Sequence, residues 1–317
     1  MKAIIGAMAD LLLLPFVSVA GWILWLTRRV GFGRIPLCRG VLTRIGVIPI
    51  RRHYYEPFFS ARELRQPLSA ERSLPGIDWN LPAQLQFLRE LHYEQELADL
   101  SRPAPAGDVP QFRFQNGSFE SGDAEFLYQV IRARKPRRIF EVGSGHSTLI
   151  AHRAVEQNMR EQAGYTCRHV CIEPYENPWL EKVNVTVVRK KVEDVDRTLF
   201  QELEANDLLF IDSSHVIRPQ ADVVVEFLEI LPLLRPGVIV HVHDIFSPRD
   251  YPADWLFQHM RLWGEQYLLE GFLTDSRSWR ILGALNLLRH RHFDELRRVC
   301  PYLTADREPG SFYLQKV

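Results

Sequence analysis

The chain has 317 residues, enough for one large domain or two modest ones and for a core that needs no disulfide or metal staple. Hydrophobic residues make up 46% and charged residues 25%, which excludes a disordered, collagen-like or coiled-coil chain. The net charge is zero, yet residues 1–55 hold eight basic residues and one acid, Asp10, so a net +7 there is balanced by −7 over the remainder. That asymmetry points to a membrane surface rather than to nucleic acid. Cys38, Cys167, Cys171 and Cys300 show no C-x-x-C spacing and read as reduced core thiols.

The first predicted element is an apolar helix. Ala3 to Leu26 carries one charge, Asp10, and one proline, Pro15. Its length suffices for a membrane span, which needs ~20 apolar residues. Trp22 and Trp25 stand near its end, where interfacial aromatics belong. Arg28 and Arg29 follow, with five more arginines by Arg52, so the positive-inside rule places the rest of the chain in the cytoplasm. A helix lying in the interface and a cleaved signal peptide are the alternatives. Residues 1–30 are therefore expected to be a membrane-associated helix.

Residues 31–110 read as a connector and helical N-terminal region. Residues 31–80 sustain no period of 2 or 3.6 and are expected to be irregular. Leu81 to Leu100 carries a broad apolar helical face, and Ser101 to Pro110 is a Pro/Gly/Ala linker. From residue 111 to 317 strands and helices alternate. Strands are expected at Arg138–Val142, His169–Ile172, Val183–Val188, Leu208–Ile211, Val238–Val242, Arg280–Leu285 and Ser311–Lys316. Helices are expected at Ser147–Gln162, Ala221–Leu234 and Pro252–Leu269. This is an α/β pattern: a Rossmann-like, mostly parallel sheet with helices on both faces. Ligands of such sheets bind beyond the carboxyl ends of the strands.

Glu141-Val142-Gly143-Ser144-Gly145-His146-Ser147 follows a strand and opens a helix. Glycine permits a tight turn and close approach of a ligand, and the helix start offers free N–H groups. A dinucleotide fingerprint would place its third glycine at Thr148, and Glu141 would repel a phosphate but suit a cationic ligand. The next strand ends in Glu173, whose carboxylate can accept both hydroxyls of a ribose. The E-x-G-x-G turn and this second acid resemble the first two motifs of class I S-adenosylmethionine-dependent methyltransferases. The resemblance implies an antiparallel last strand and a cofactor site of Glu141, Gly143, Gly145, Ser147, Glu173 and Asp212, with Glu193 at the adenine.

Asp212-Ser213-Ser214-His215 follows one strand, and His243-Asp244 follows the next. Oxygen and nitrogen ligands from adjacent strand ends can hold a divalent cation and leave positions open for substrate. The stretch from Leu208 to Phe246 resembles the D-x-x-H, L-x-P-G and H-D pattern of a methyltransferase subgroup. That subgroup includes sugar and macrolide O-methyltransferases and cephalosporin hydroxylase-type proteins. The resemblance implies a metal at Asp212, His243 and Asp244. His243 stands where relatives have Asp or Glu, and imidazole suits Zn, Fe or Ni better than Mg. His215, with Asp212 beside it, is the candidate general base. His241 lies inside its strand and reads as a core residue. Phe114 to Phe119 precedes the core of the domain; the resemblance implies a loop there that covers the cofactor, with Gly117 and Gly122 to flex, and an ordinary turn is the alternative.

The expected function is methylation of a hydroxyl on a glycan, lipid-linked or small-molecule acceptor, with S-adenosylmethionine as cofactor and a divalent metal as a further candidate. A metal-dependent hydrolase or oxygenase on the same residues, and a non-catalytic membrane scaffold, are the competing readings.

Overall fold

A computed structural model describes residues 2–100, 109–175 and 177–317. The linker expected at Ser101–Pro110 falls mostly outside the described residues. The chain divides into two compact units, one of residues 1–67 with 257–262 and one of residues 68–256 with 263–317.

The first unit opens with α1 (Lys2–Val30), which contains Pro15 and ends in Arg28 and Arg29. Within it Ile5–Val30 is long and apolar enough to cross a membrane, by length and composition, and that stretch is not buried against protein. A second helix, α2 (Pro36–Ile45), lies where no regular element was expected. Pro36 at its first turn and Gly46 at φ +80° after its last residue are the signals that set its ends.

The second unit begins with α3 (Leu81–Glu90) and α4 (Glu94–Leu100), where a single helix was expected. The chain turns extended at Leu91, which is fully buried, and the Tyr93 amide donates to Gln129 Oε1 at 2.9 Å. Next comes α5 (Asp123–Arg134), buried nearly all round and so without a helical stripe to betray it. The core alternation follows: β1 (Arg138–Val142), α6 (His146–Glu161), β2 (Arg168–Ile172), β3 (Thr186–Val188) and β4 (Leu208–Ile211). Two short helices, α7 (Asp222–Val225) and α8 (Leu231–Leu233), are joined by a π turn at Glu226–Ile230. Pro232 has no N–H to continue the i→i−4 ladder, and the wider turn accommodates that. After β5 (Ile239–Val242) come α9 (Ala253–Phe257), α10 (Glu265–Leu273), β6 (Trp279–Ala284), α11 (Leu285–Arg291), α12 (Phe293–Val299) and β7 (Phe312–Lys316). The helix expected over Pro252–Leu269 is broken between Phe257 and Glu265, where the amides of Gly264 and Glu265 donate to the His215 carbonyl.

The seven strands form one sheet in the order β3-β2-β1-β4-β5-β7-β6. All pairings from β3 to β5 are parallel, and β7 runs antiparallel to both neighbours. Alternate residues enter opposite cores, as strand geometry requires. Ile139, Phe210 and Ile239 join α5 and α6 on one face. Phe140, Val142, Leu209, Ile211 and Val240 join the residue 223–234 helices and α10 on the other. The order reverses between β1 and β4, and a crevice opens beyond their carboxyl ends.

Candidate active site

Gly143 sits at that crevice with φ +78°, and a Cβ there would lie 1.9 Å from the Asp212 carbonyl oxygen. Only glycine lets the turn after β1 pass this close to the turn after β4. Gly143 N donates to Ile172 O at 3.1 Å and Asp212 N to Val142 O at 2.9 Å, which ties the three strand ends together. Gly145 has an extended φ of −177° and donates its N–H to Thr148 Oγ1 at 3.1 Å, capping α6.

Two lobes meet over Gly143. One, of about 440 Å³, is lined by Gly143–Ser147, Ser118, Phe119, Asn177, Glu173 and Asp212. The other, of about 510 Å³, is lined by Gly143, Glu173, Tyr175, Lys191, Glu193, Asp212 and Asp222 among others. Gly143, Glu173 and Asp212 belong to both. Glu173 is buried, and its two oxygens accept the N–H groups of Ser144 (3.3 Å) and Tyr175 (2.9 Å). Gly145 and Ser147 lie in the first lobe and Glu193 in the second. Asn116 Oδ1 accepts the Ser118 and Phe119 amides, so the residue 114–119 segment is a side-chain-stapled turn over the first lobe.

Glu141 is placed differently. It lies within β1, is buried, lines neither lobe, and its Oε2 is 2.7 Å from His169 Nε2 on β2. Burial works against a charge on His169, but Cys171 and the Glu141 carboxylate outweigh it and push the imidazole up to about 10.

Parallel pairing of β4 with β5, Ile211 opposite Val242, sets Asp212 beside His243. Ligand atoms of Asp212, His215 and Asp244 lie within 4.8 Å of one another. His215 Nε2 is 3.3 Å from Asp212 Oδ1 and 3.6 Å from Asp244 Oδ2. His243 Nδ1 is 3.4 Å from Asp212 Oδ2 and 3.6 Å from Asp244 Oδ1, and makes no hydrogen bond although it is buried. An imidazole nitrogen thus flanks the carboxylate pair on each side. His215 and Asp244 hold left-handed backbone, φ +60° and +59°, a cost that functional loops tolerate.

The electrostatics are strongly coupled. Burial disfavours charge on both histidines, yet the carboxylates raise each well above the ordinary imidazole range. Burial likewise disfavours the Asp212 carboxylate, but His243 and His215 hold it well below the usual range. Burial prevails at Asp244, which is raised. Two-carboxylate, imidazole-flanked geometry of this kind suits a divalent first-row cation.

Three neighbours were not foreseen from the sequence. Glu265, fully buried, accepts from or faces His215 Nδ1 at 2.7 Å. Asp123 Oδ2 is 3.8 Å from His243 Nε2. Trp263 packs on the His215 ring, centroids 4.1 Å apart. All three come from elements distant in sequence, and no local motif announces them. His241 is buried, bonded to Ser311 Oγ at 2.7 Å and stacked on Tyr313, as a core residue.

The sequence profile described as "Methyltransferase domain" matches residues 140–245, the span from β1 to just beyond Asp244. An uncharacterized protein of Archaeoglobus fulgidus is 28% identical over 165 residues, 49% of this chain and 73% of that one. Among solved structures, an O-methyltransferase from Bacillus cereus in complex with SAH shares 17% identity with a TM-score of 0.35, covering 73% of this chain and 99% of that one. CalS11, a TDP-rhamnose 3'-O-methyltransferase of calicheamicin biosynthesis, shares 14% at a TM-score of 0.37, covering 79% and 99%. MycE, a methyltransferase of the mycinamycin pathway solved with Mg, SAH and mycinamycin VI, shares 11% at 0.32, and this chain spans about half of its length (61% and 48%). Residues 140–245 form a methyltransferase domain.

Proposed function

We propose that the chain methylates a hydroxyl oxygen of a small-molecule, glycan or lipid-linked acceptor, with a divalent cation beside the cofactor. The observation that carries this reading is the meeting of Asp212, Asp244, His215 and His243 at the edge of a two-lobed crevice that shares Asp212.

The crevice fits S-adenosylmethionine. Gly143 clears the floor between the lobes, and Glu173 stands where both lobes meet. A carboxylate offers two acceptor oxygens, which suits two ribose hydroxyls. Gly145 and Ser147 serve the first lobe and Glu193 the second, where it would meet the adenine. Glu141 acts from behind the turn, through His169 and the sheet. Bound there, S-adenosylmethionine supplies a methyl group activated on a sulfonium.

Asp212, His243 and Asp244 would hold the cation, whose charge lowers the pKa of a coordinated hydroxyl. His243 Nδ1, buried without a hydrogen bond and within 3.6 Å of an oxygen of each carboxylate, is the fit that supports it. His215 Nε2 is the proton acceptor, and Glu265 fixes the tautomer by holding Nδ1. A cation held by Asp212 would offset the charge of one of the two carboxylates, Asp212 and Glu265, that raise His215. Residues 1–30 are assigned as the membrane anchor, 31–110 as the connector and 111–317 as the methyltransferase domain, on the cytoplasmic side.

The test is incubation of the full chain with methyl-labelled S-adenosylmethionine, Mg²⁺ or Mn²⁺, and membrane and glycan extracts. Alkali-stable label on an ether oxygen, lost in Asp212→Asn, is expected. Label on nitrogen or carboxylate would overturn the hydroxyl assignment.

A further inference from the structure

Helix α2 presents an apolar face that the described residues leave largely uncovered. Leu37, Val41 and Ile45 are 86%, 56% and 67% exposed, and none of the helix is buried. At 100° per residue, Leu37, Cys38, Val41, Leu42 and Ile45 share one arc, and Arg39, Gly40, Thr43 and Arg44 share the other. Soluble proteins rarely leave such a stripe in water.

Two features of the chain point to what covers it. The first is charge. No Asp or Glu stands between Asp10 and Glu56, while Arg34, Arg39, Arg44, Arg51 and Arg52 surround the helix. Arg28 is paired with Glu56. The second is continuity. Only Gly31–Ile35 separate α2 from α1, a tether of at most ~20 Å when extended. Wherever the end of α1 meets the bilayer surface, α2 is held within reach of the same surface. A short helix with an apolar arc opposite an arginine-bearing arc matches an interface-lying element.

We propose that α2 docks in the plane of an anionic bilayer, with Leu37, Val41 and Ile45 at the headgroup–acyl boundary and Arg39 and Arg44 on lipid phosphates. The inference rests on the reading of residues 1–30 as the membrane anchor and is independent of the chemistry at Asp212. It gives the anchored chain a second, charge-selective hold on its membrane.

Cys38 lies in the apolar arc and is exposed, whereas Cys171 and Cys300 are buried. The full chain with Cys167→Ser is labelled at Cys38 with an environment-sensitive fluorophore. It is then reconstituted into vesicles of phosphatidylcholine alone or with phosphatidylglycerol. Blue-shifted emission, quenched by nitroxide-bearing lipid, is expected with phosphatidylglycerol. The same label on the polar arc (Gly40→Cys in a Cys38→Ser background) should keep aqueous emission. Arg39→Glu with Arg44→Glu should lower the docked-to-free ratio by ~10-fold or more.

Aqueous emission at Cys38 in a chain that floats with both vesicle types would overturn the inference and leave the anchor standing. A chain that fails to float would overturn the anchor reading as well. A blue shift unaffected by lipid charge, with dimers in detergent, would assign the face to a second copy instead.

Discussion

His215 Nδ1 lies 2.7 Å from Glu265 Oε2, fifty residues on in the chain, and both groups are buried. The same helix start that carries Glu265 donates its first amides to the His215 carbonyl, so ring and backbone are held by one element. Nδ1 is thereby committed, and Nε2 alone is left to face Asp212 and Asp244. With His215 as the proposed proton acceptor, Glu265 takes the role of a positioning residue. Glu265→Gln should lower the methyl-transfer rate on the order of 10²-fold, the lower range for a general base. Affinity for S-adenosylhomocysteine should stay within about threefold, since Glu265 lines neither lobe. Equal losses of rate and affinity would point to a purely structural role.

On the proposed reading, a chelator separates chemistry from cofactor binding. Chelation should abolish methyl transfer while S-adenosylhomocysteine still binds. Asp244→Asn should weaken Mn²⁺ binding, followed by paramagnetic resonance, by more than the ~10–100-fold typical of an outer-shell partner. Full activity in the chelated, metal-analysed protein would contradict the cation assignment.

The Gly143 turn makes a stability prediction. A Cβ at 1.9 Å from a carbonyl oxygen, on a left-handed residue, cannot be absorbed by rotating a side chain. Gly143→Ala should destabilise the fold by more than the ~1 kcal/mol of an ordinary point mutation, read as a fall in the urea midpoint. Gly145→Ala, at extended φ and 3.4 Å from the Asn177 side chain, should cost far less.

The buried Glu141–His169 pair predicts a pH dependence. The folded-state pKa of His169 is raised to about 10, above the ~6.5 of an unfolded chain. Its contribution is therefore fully present below pH ~6.5 and is lost as pH rises towards 10. Stability should fall by a few kcal/mol across that window, and the slope should flatten in His169→Gln. An unchanged slope would show that the proton is not held there.

How much of this was legible in sequence depends on whether position along a strand was enough. Asp212 and His243-Asp244 were, because each ends a strand of one parallel ladder and register alone brings them together. Glu173 was, for the same reason at the end of β2. Glu141 was expected in the cofactor site on its place in the motif. Strand parity turns it instead with Ile139 toward α6, where it meets His169. Glu265, Asp123 and Trp263 were not legible, since only tertiary packing carries α5 and α10 to the β5 edge. The α2 helix was readable from Pro36, Gly46 and its five-residue apolar arc, but one short element in an aperiodic stretch gave too few repeats to register.

The most direct measurement is calorimetric titration of the chain with S-adenosylhomocysteine, wild type against Glu173→Ala. Micromolar binding to the wild type is expected, weakened ~10–100-fold in the variant by loss of a charged hydrogen-bond acceptor. Titrations with and without Mn²⁺ should give similar affinities. No binding to the folded wild-type chain under either condition would contradict the assignment of the crevice to this cofactor.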